Sequence, residues 1–155
     1  METTTINYKN YLITTDRTLL QPDAIYHWLS AESYWAKNIP YAVVKASFDN
    51  SFVIGALHEH KQIAYARMIT DYATFAYLAD VYVVNEHRGH GISKKMLEIL
   101  MDLDWVSRLR RLMLATLDAH GLYESFGFTS PKFPVRLMEI TRPDLYENIT
   151  QATDH

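Results

Sequence analysis

No cysteine occurs in this 155-residue chain. That absence excludes a disulfide framework, a thiolate metal site and a cysteine nucleophile, and with the last any covalent thioester on the protein. It makes a reducing compartment, the cytoplasm, the simplest expectation. Long apolar runs are also missing. No stretch approaches the roughly 18 residues needed to span a membrane, and Met1-Glu2-Thr3-Thr4-Thr5-Ile6 lacks the basic start and apolar core of a signal peptide. A soluble protein with no membrane partner is expected. An excess of one charge is absent too. The 15 basic and 18 acidic side chains leave a net charge of −3, without the basic surplus of a nucleic-acid binder, so nucleic acid is not an expected partner.

What is present is an ordinary globular mixture, 48% hydrophobic and 21% charged, in a chain long enough for one core and too short for two domains of usual size. A single domain over residues 1–155 is expected. Tyr11-Leu12-Ile13-Thr14-Thr15 reads as a first strand, and a helix starts near Pro22-Asp23 with Ile25, Trp28, Leu29 and Tyr34 on its buried side. Pro40 opens a second helix that ends before Asn50-Ser51. Phe52 to Leu57 and Gln62 to Ile69 read as a hairpin turning at His58 to Lys61, followed by a long strand from Thr74 to Val84. A helix from about Gly91 to Val106 carries Ile92, Met96, Leu97, Ile99, Leu100 and Leu103 along one stripe. Leu112 to Thr116 is then a short apolar strand, and Asp118 caps a short helix through Tyr123 to Phe126 that Gly127 stops. Val135 to Ile140 alternates as a final strand after the Pro131 and Pro134 loop, and the tail beyond Pro143 is peripheral. The order is β, α, α, three β, α, β, α, β, an α+β chain without internal repeats.

The stretch Arg88-Gly89-His90-Gly91-Ile92-Ser93 lies where the buried strand Ala79 to Val84 turns into that amphipathic helix. Two residues without a Cβ let backbone amides approach a ligand closely. The first amides of the helix lack partners, and the positive end of the helix dipole favours an anion, with Arg88, Lys94 and Lys95 adding charge. A phosphate or pyrophosphate fits such a junction. The Walker spacing and the three-glycine dinucleotide spacing are both absent.

These residues, joined to Leu114-Ala115-Thr116-Leu117-Asp118-Ala119-His120-Gly121-Leu122-Tyr123-Glu124-Ser125-Phe126-Gly127-Phe128, resemble the GNAT superfamily of N-acetyltransferases. Its first motif is Arg or Gln, two residues, Gly, one residue, then Gly or Ala. Here Arg88 and Gly91 meet it and Ser93 departs from it at the last position. Its second signature, leucine-tyrosine followed by glycine-phenylalanine, appears as Leu122-Tyr123 and Gly127-Phe128. The resemblance covers about residues 8 to 140 and implies an α/β/α layered fold whose mixed, mostly antiparallel sheet is splayed between its fourth and fifth strands. It implies acetyl-CoA as cosubstrate, with the backbone of Val81, Tyr82 and Val83 pairing with the pantetheine arm. Gly89, His90, Gly91, Ile92, Ser93 and Lys94, together with Arg88, would hold the pyrophosphate.

Acetyl transfer to an amine needs a neutral amine, a stabilised oxyanion and a proton for the departing thiolate. An alkylamine of pKa about 10.4 costs roughly 4.6 kcal/mol to be neutral at pH 7, so a proton acceptor or a water chain is required. Tyr123 suits the general acid, because a phenol of pKa about 10 is protonated at pH 7, and the resemblance implies the same role. The base is open. Some relatives carry a glutamate where this chain has Tyr77, which is a poor base, and Asp80, the nearest carboxylate, reads as a base or as a structural residue in the strand. His120 reads as a surface or capping residue. His58 and His60 lack a third ligand in a recognisable pattern, so no metal is expected. Tyr65, Tyr72, Phe75, Tyr77 and Trp35 are candidates for the acceptor pocket and equally for the core.

The leading expectation is an acetyl-CoA-dependent N-acetyltransferase that transfers to a small-molecule primary amine by direct attack in a ternary complex. A non-catalytic acyl-CoA-binding module and a protein or peptide N-acetyltransferase are the alternatives. A homodimer is a further expectation, from an exposed final strand.

Overall fold

Alternating apolar residues between Phe52 and Val83 make three strands that pair in chain order. In a computed structural model, which describes residues 1–147, β3 (Phe52–His58), β4 (Lys61–Thr70) and β5 (Phe75–Val83) are antiparallel neighbours. The β3–β4 turn places Glu59 and His60 at φ 50° and 67°. Two such residues give the tight hairpin turn whose twist matches that of the strands it joins.

Two short strands extend the sheet on one side, β1 (Thr5–Tyr8) and β2 (Tyr11–Thr14), and one on the other, β6 (Arg111–Leu114), giving the order β1-β2-β3-β4-β5-β6. Among the described strand pairs, β5–β6 alone is parallel. β1 went unread in the sequence because Ile6 is its one aliphatic residue among polar neighbours, and none of its four residues is fully buried. β3 is buried along almost its whole length because helices cover both faces of the sheet.

On one face lie α1 (Pro22–Glu32) and α2 (Tyr41–Asp49). Pro22 opens α1 where a missing N–H costs nothing, Asp23 complements the dipole, and Ile25 and Leu29 bury one stripe. Tyr34, expected on that buried side, instead lies beyond the helix in the α1–α2 loop and is exposed. Val44 and Phe48 bury the matching side of α2, and the cluster is closed by Val53, Leu57, Tyr65 and Tyr82 from the sheet.

The opposite face is covered by α3 (Ile92–Met101), through Ile92, Met96, Leu97 and Leu100. The single helix expected to Val106 breaks: Leu103 is extended and α4 (Asp104–Ser107) restarts. A straight continuation would turn Trp105 and Val106 away from the buried stripe. The break brings both into the core, with the Trp105 ring 5.3 Å from Phe52 and 4.9 Å from Tyr72. After β6 comes α5 (His120–Glu124). Asp118 does not cap it: the preceding turn is held by Thr116 Oγ1, which accepts from the Ala119 amide at 3.0 Å. Gly127, at φ 96°, stands just past the helix in the conformation that ends helices.

The expected strand from Val135 to Ile140 is not formed. Pro134 instead opens a 3-10 turn through Arg136, closed by Arg136 N–H to the Phe133 carbonyl and Leu137 N–H to the Pro134 carbonyl, and the chain beyond is exposed. An alternating pattern makes a strand only beside an edge that supplies hydrogen bonds, and no described residue does so here. The tail is less peripheral than expected, because Tyr146 packs against the α1–α2 cluster. Its remainder, 148–155, lies outside the described residues. No described helix is long and apolar enough to cross a membrane.

Tyr65 is 1% exposed, and its hydroxyl has no hydrogen-bond partner among the described residues. Burial pushes its pKa, and that of Tyr82, well above the usual phenol value. The unfolded chain ionises these phenols near pH 10 while the folded one keeps them neutral. Their contribution is therefore complete below pH about 10 and falls as pH climbs toward the raised folded values. Tyr65→Phe removes the orphan hydroxyl and is expected to raise stability at pH 7 by about 1 kcal/mol. It should also flatten the alkaline loss; a parallel loss in both proteins, read by urea unfolding at pH 8 and 11, would contradict this.

Candidate functional site

β5 outruns its neighbour. Pairing with β6 runs from Phe75↔Arg111 to Leu78↔Leu114 and stops, while β5 continues beside β4 through Arg67↔Ala79, Tyr65↔Tyr82 and Ala64↔Val83. Where the pairing ends, β5 carries a bulge. The register between Tyr65 and Arg67 shifts, and Asp80 sits at φ 54°, a conformation that aspartate tolerates better than most residues. A bulge bends its strand and sharpens the twist, so the end of β5 turns away from β6 and the sheet opens between them. Val81, Tyr82 and Val83 form this unshared edge.

Side chains pin the bulge. The Asp80 carboxylate accepts from Arg67 Nε at 2.6 Å and from Trp35 Nε1 at 2.8 Å. Trp35 belongs to the α1–α2 loop, so the second bond ties that loop to β5. A stacked pair reinforces the tie, with the Trp28 ring 4.1 Å from Tyr82 and nearly parallel to it, at 3°. Trp35 packs against Trp28 at 5.6 Å and against Tyr34 at 5.0 Å.

Beyond Val83 the chain makes a 3-10 turn, Asn85–His87, then passes Gly89 at φ 83° and Gly91 at φ 79° into α3. The amides from Gly89 to Lys94 donate to no acceptor among the described residues; the first helical bond is Lys95 N–H to the Gly91 carbonyl, at 3.0 Å. The His90 carbonyl is held from the other side, by Tyr8 Oη at 3.0 Å and Lys9 Nζ at 2.9 Å. Carbonyl and following amide point in opposite directions across a trans peptide, so this grip turns the Gly91 N–H away from the β1–β2 turn. Gly91 is required by space as well as by φ: a Cβ there would fall 2.8 Å from Tyr8 Oη. Such a row of free amides at a helix N-terminus is an anion site. Lys94 and His90 are exposed beside it, and Ser93 is half-buried. Arg88 is less free than expected, since its Nε donates to the Val83 carbonyl at 3.0 Å. That bond takes up one acceptor on the opened edge and braces the loop against the strand.

Tyr123 is buried in α5, its ring 5.9 Å from Phe128. Burial first, then the neighbouring Tyr34 and Asp118, pushes its phenol pKa up. It is therefore a protonated group at neutral pH. Tyr34 was read from the sequence as part of a helix face; only the fold brings its loop toward Tyr123. Tyr123 also lines a groove of about 790 Å³ along β6.

The other aromatic candidates separate. Tyr65 lies in the core beside Phe48 and Tyr82, and Tyr72 packs on Trp105 near the turn into β5, where Phe75 begins that strand away from the bulge. Tyr77 is half-buried and pairs with Ile69 and Met113. Trp35 reaches the bulge from the α1–α2 loop through its bond to Asp80. His58 packs 4.8 Å from His87 and 5.5 Å from Tyr11, and His120 is exposed at the start of α5. Among the described residues no cluster of metal-ligating side chains forms.

The sequence profile of the Acetyltransferase (GNAT) family matches residues 22–128. The chain belongs to the GNAT acetyltransferase family. This GNAT protein is 36% identical over 134 residues to a protein of Gibberella zeae named as a candidate acetyltransferase, covering 74% of this chain and 76% of that one. A crystal structure of a candidate GNAT acetyltransferase from Xanthomonas campestris pv. campestris superposes with a TM-score of 0.86 at 46% identity, covering 90% of this chain and 99% of that one. A candidate acetyltransferase from Deinococcus radiodurans, with a TM-score of 0.69 at 15% identity over 94% of this chain and 96% of that one, shares the fold. The GNAT chain is thus an N-acetyltransferase, with the six-stranded mixed sheet of that fold opened between β5 and β6.

Asp80→Ala leaves the largely buried Arg67 guanidinium unpaired and puts alanine at a positive φ. A loss of about 3 kcal/mol is expected, as for other broken buried ion pairs. Chemical denaturation measures it, and a loss below about 1 kcal/mol would remove the bulge-pinning role.

Proposed function

We propose that this protein transfers the acetyl group of acetyl-CoA to a small-molecule primary amine by direct attack in a ternary complex. The observation that carries the reading is the unpaired row of amides from Gly89 to Lys94 beside the opened edge of β5. The two features fit two parts of one ligand: the amides and the helix dipole suit a pyrophosphate, and the strand edge suits the amide-containing pantetheine arm. Val81, Tyr82, Val83, Arg88, Gly89, His90, Gly91, Ile92, Ser93 and Lys94 would hold it, with Arg88 acting partly through its bond to Val83. When bound, acetyl-CoA supplies an activated acyl carbon and a thiolate leaving group.

The chain's own residues then have separable tasks. Tyr123 holds the proton that the leaving sulfur takes as its bond to carbon breaks, and its raised pKa keeps that proton in place at working pH. The acceptor enters beside Tyr34 and Trp35, whose aromatic faces attract an ammonium group before it loses its proton. Asp80 is already engaged by Arg67 and Trp35, which supports a positioning role for it and deprotonation of the amine through water. Aromatic walls beside the bulge favour a small amine over an extended peptide. The cytoplasm is the proposed compartment, supported by the lack of cysteine.

Three measurements test this reading. Tyr123→Phe is expected to lower kcat at least 10²-fold with little change in acetyl-CoA affinity by calorimetry; unchanged turnover removes the acid role. Gly91→Val, which meets both the positive φ and Tyr8, should weaken acetyl-CoA at least tenfold. Thiol release over a panel of amines should show kcat/KM rising about tenfold per pH unit toward the amine pKa of about 10.4. No decline from phenol ionisation should enter below pH about 10, because the Tyr123 pKa is raised.

A further inference from the structure

His90 stands between two glycines, Gly89 at φ 83° and Gly91 at φ 79°. Glycine passes between positive and negative φ at little cost, so the freedom that lets these amides approach a pyrophosphate also lets the His90–Gly91 peptide turn over. A turned peptide would present its carbonyl oxygen to the anion in place of its N–H. The loop by itself therefore leaves open which sign of partial charge it offers. A constraint from outside the loop decides it.

The β1–β2 turn supplies that constraint. Tyr8 Oη and Lys9 Nζ both donate to the His90 carbonyl, at 3.0 and 2.9 Å, which commits the Gly91 N–H to the opposite side. Tyr8 is seated on the loop itself: its Oη lies 2.8 Å from the place a Cβ on Gly91 would take, and Lys95 of α3 rests over its ring at 5.8 Å. The same turn holds the start of the loop, because the buried Tyr11 shares a hydrogen bond of 2.9 Å between its Oη and His87 Nδ1. The hairpin is itself braced, with Thr5 Oγ1 bonded to Thr14 Oγ1 at 2.7 Å and Thr15 N–H donating to the Thr4 carbonyl at 2.9 Å. Lys9 has φ 53° as the first of the two residues between β1 and β2, where glycine and asparagine are favoured over lysine. Its backbone is thus unfavourable, while its ammonium makes the bond to the loop. The clamping residues all precede the stretch 22–128 matched by the family, whereas the loop they hold lies inside it.

We infer that Tyr8, Lys9 and Tyr11 are positioning residues for the donor: they hold residues 87–91 with the Gly91 N–H turned toward the pyrophosphate, and so set the affinity for acetyl-CoA. This rests on the acetyl-CoA site proposed above. Tyr8 and Lys9 grip one and the same oxygen, so either bond alone still prevents the peptide from turning over. The Lys9 charge on that oxygen also polarises the peptide and makes its N–H the stronger donor. The clamp bears on the phosphate-holding amides and on no group assigned to the acetyl transfer itself. It therefore changes donor binding and leaves the chemical step alone.

Tyr8→Phe removes one bond to the carbonyl, and Lys9→Gly removes the other while suiting the positive φ. Calorimetry with CoA is expected to show binding weakened about threefold in each single variant. The double variant should lose about thirtyfold, more than the product of the two, because only there is the carbonyl released. Lys9→Arg, which keeps a donor, should bind CoA as the wild type does. With the best amine of the panel, the acetyl-CoA KM of the double variant should rise in step with its CoA affinity loss, while kcat and the amine KM stay within about twofold. A double variant that binds CoA within about twofold of a binding wild type overturns the clamp and leaves the acetyl-CoA site standing. A loss no greater than the product, or a kcat that falls with the affinity, overturns it as well. A wild type that binds no CoA removes the acetyl-CoA reading itself. If the double variant does not fold by circular dichroism, Lys9→Gly and Lys9→Arg decide, and equal CoA affinity in the two sinks the inference.

Discussion

Asp80 is the constraint on which the site rests. Its backbone supplies the bulge that turns the end of β5 away from β6, and its carboxylate holds Arg67 on the neighbouring strand and Trp35 on the α1–α2 loop. One residue therefore opens the sheet and decides where the loop beside the opening sits. β6 ends at Leu114, and the bulge just beyond the last pair leaves the edge at Val81 to Val83 outside that pairing.

Two further clamps work around that opening. The stacked Trp28–Tyr82 pair fixes α1 to β5 from one face, and the β1–β2 turn grips the His90 carbonyl from the end of the sheet. Both leave polar backbone free where a ligand can use it. This is preorganisation: the amides from Gly89 to Lys94, at the start of α3, have no acceptor among the described residues, and the grip of Tyr8 and Lys9 on the His90 carbonyl fixes the loop that carries them. The orphan hydroxyl of Tyr65 is a different case, a buried polar group with no described partner and no opening to serve.

Much of the architecture was legible from local pattern. The helix from Pro22, the hairpin around Glu59-His60 and the buried stripe of α3 follow from caps, turns and periodicity, which act within a few residues. The failures have different causes. β1 pairs with β2 next to it in the chain but carries one aliphatic residue, too little pattern to read. The restart at Leu103 answers to Phe52 and Tyr72, distant in sequence, and Val135 to Ile140 has a strand's pattern without a strand's partner among the described residues. At the candidate site the glycine loop and Tyr123 stood out as motifs. Tyr34 and the engagement of Asp80 left no local signal, and the aromatic set suggested by the family resemblance divided between core and site.

The sequence by itself determined the family, the order of the main helices and strands, and the anion-holding character of the β5–α3 junction. Those depend on glycine's freedom at positive φ, on the unpaired amides that begin any helix, and on motif spacing, all of which are local. Only the tertiary structure decided which carboxylate is occupied, which aromatics face the opening, and that among the described residues β6 is the last strand of the sheet. Those depend on which distant surfaces meet, and a hydrogen bond or a stacked ring exists only once the fold has brought its two halves together.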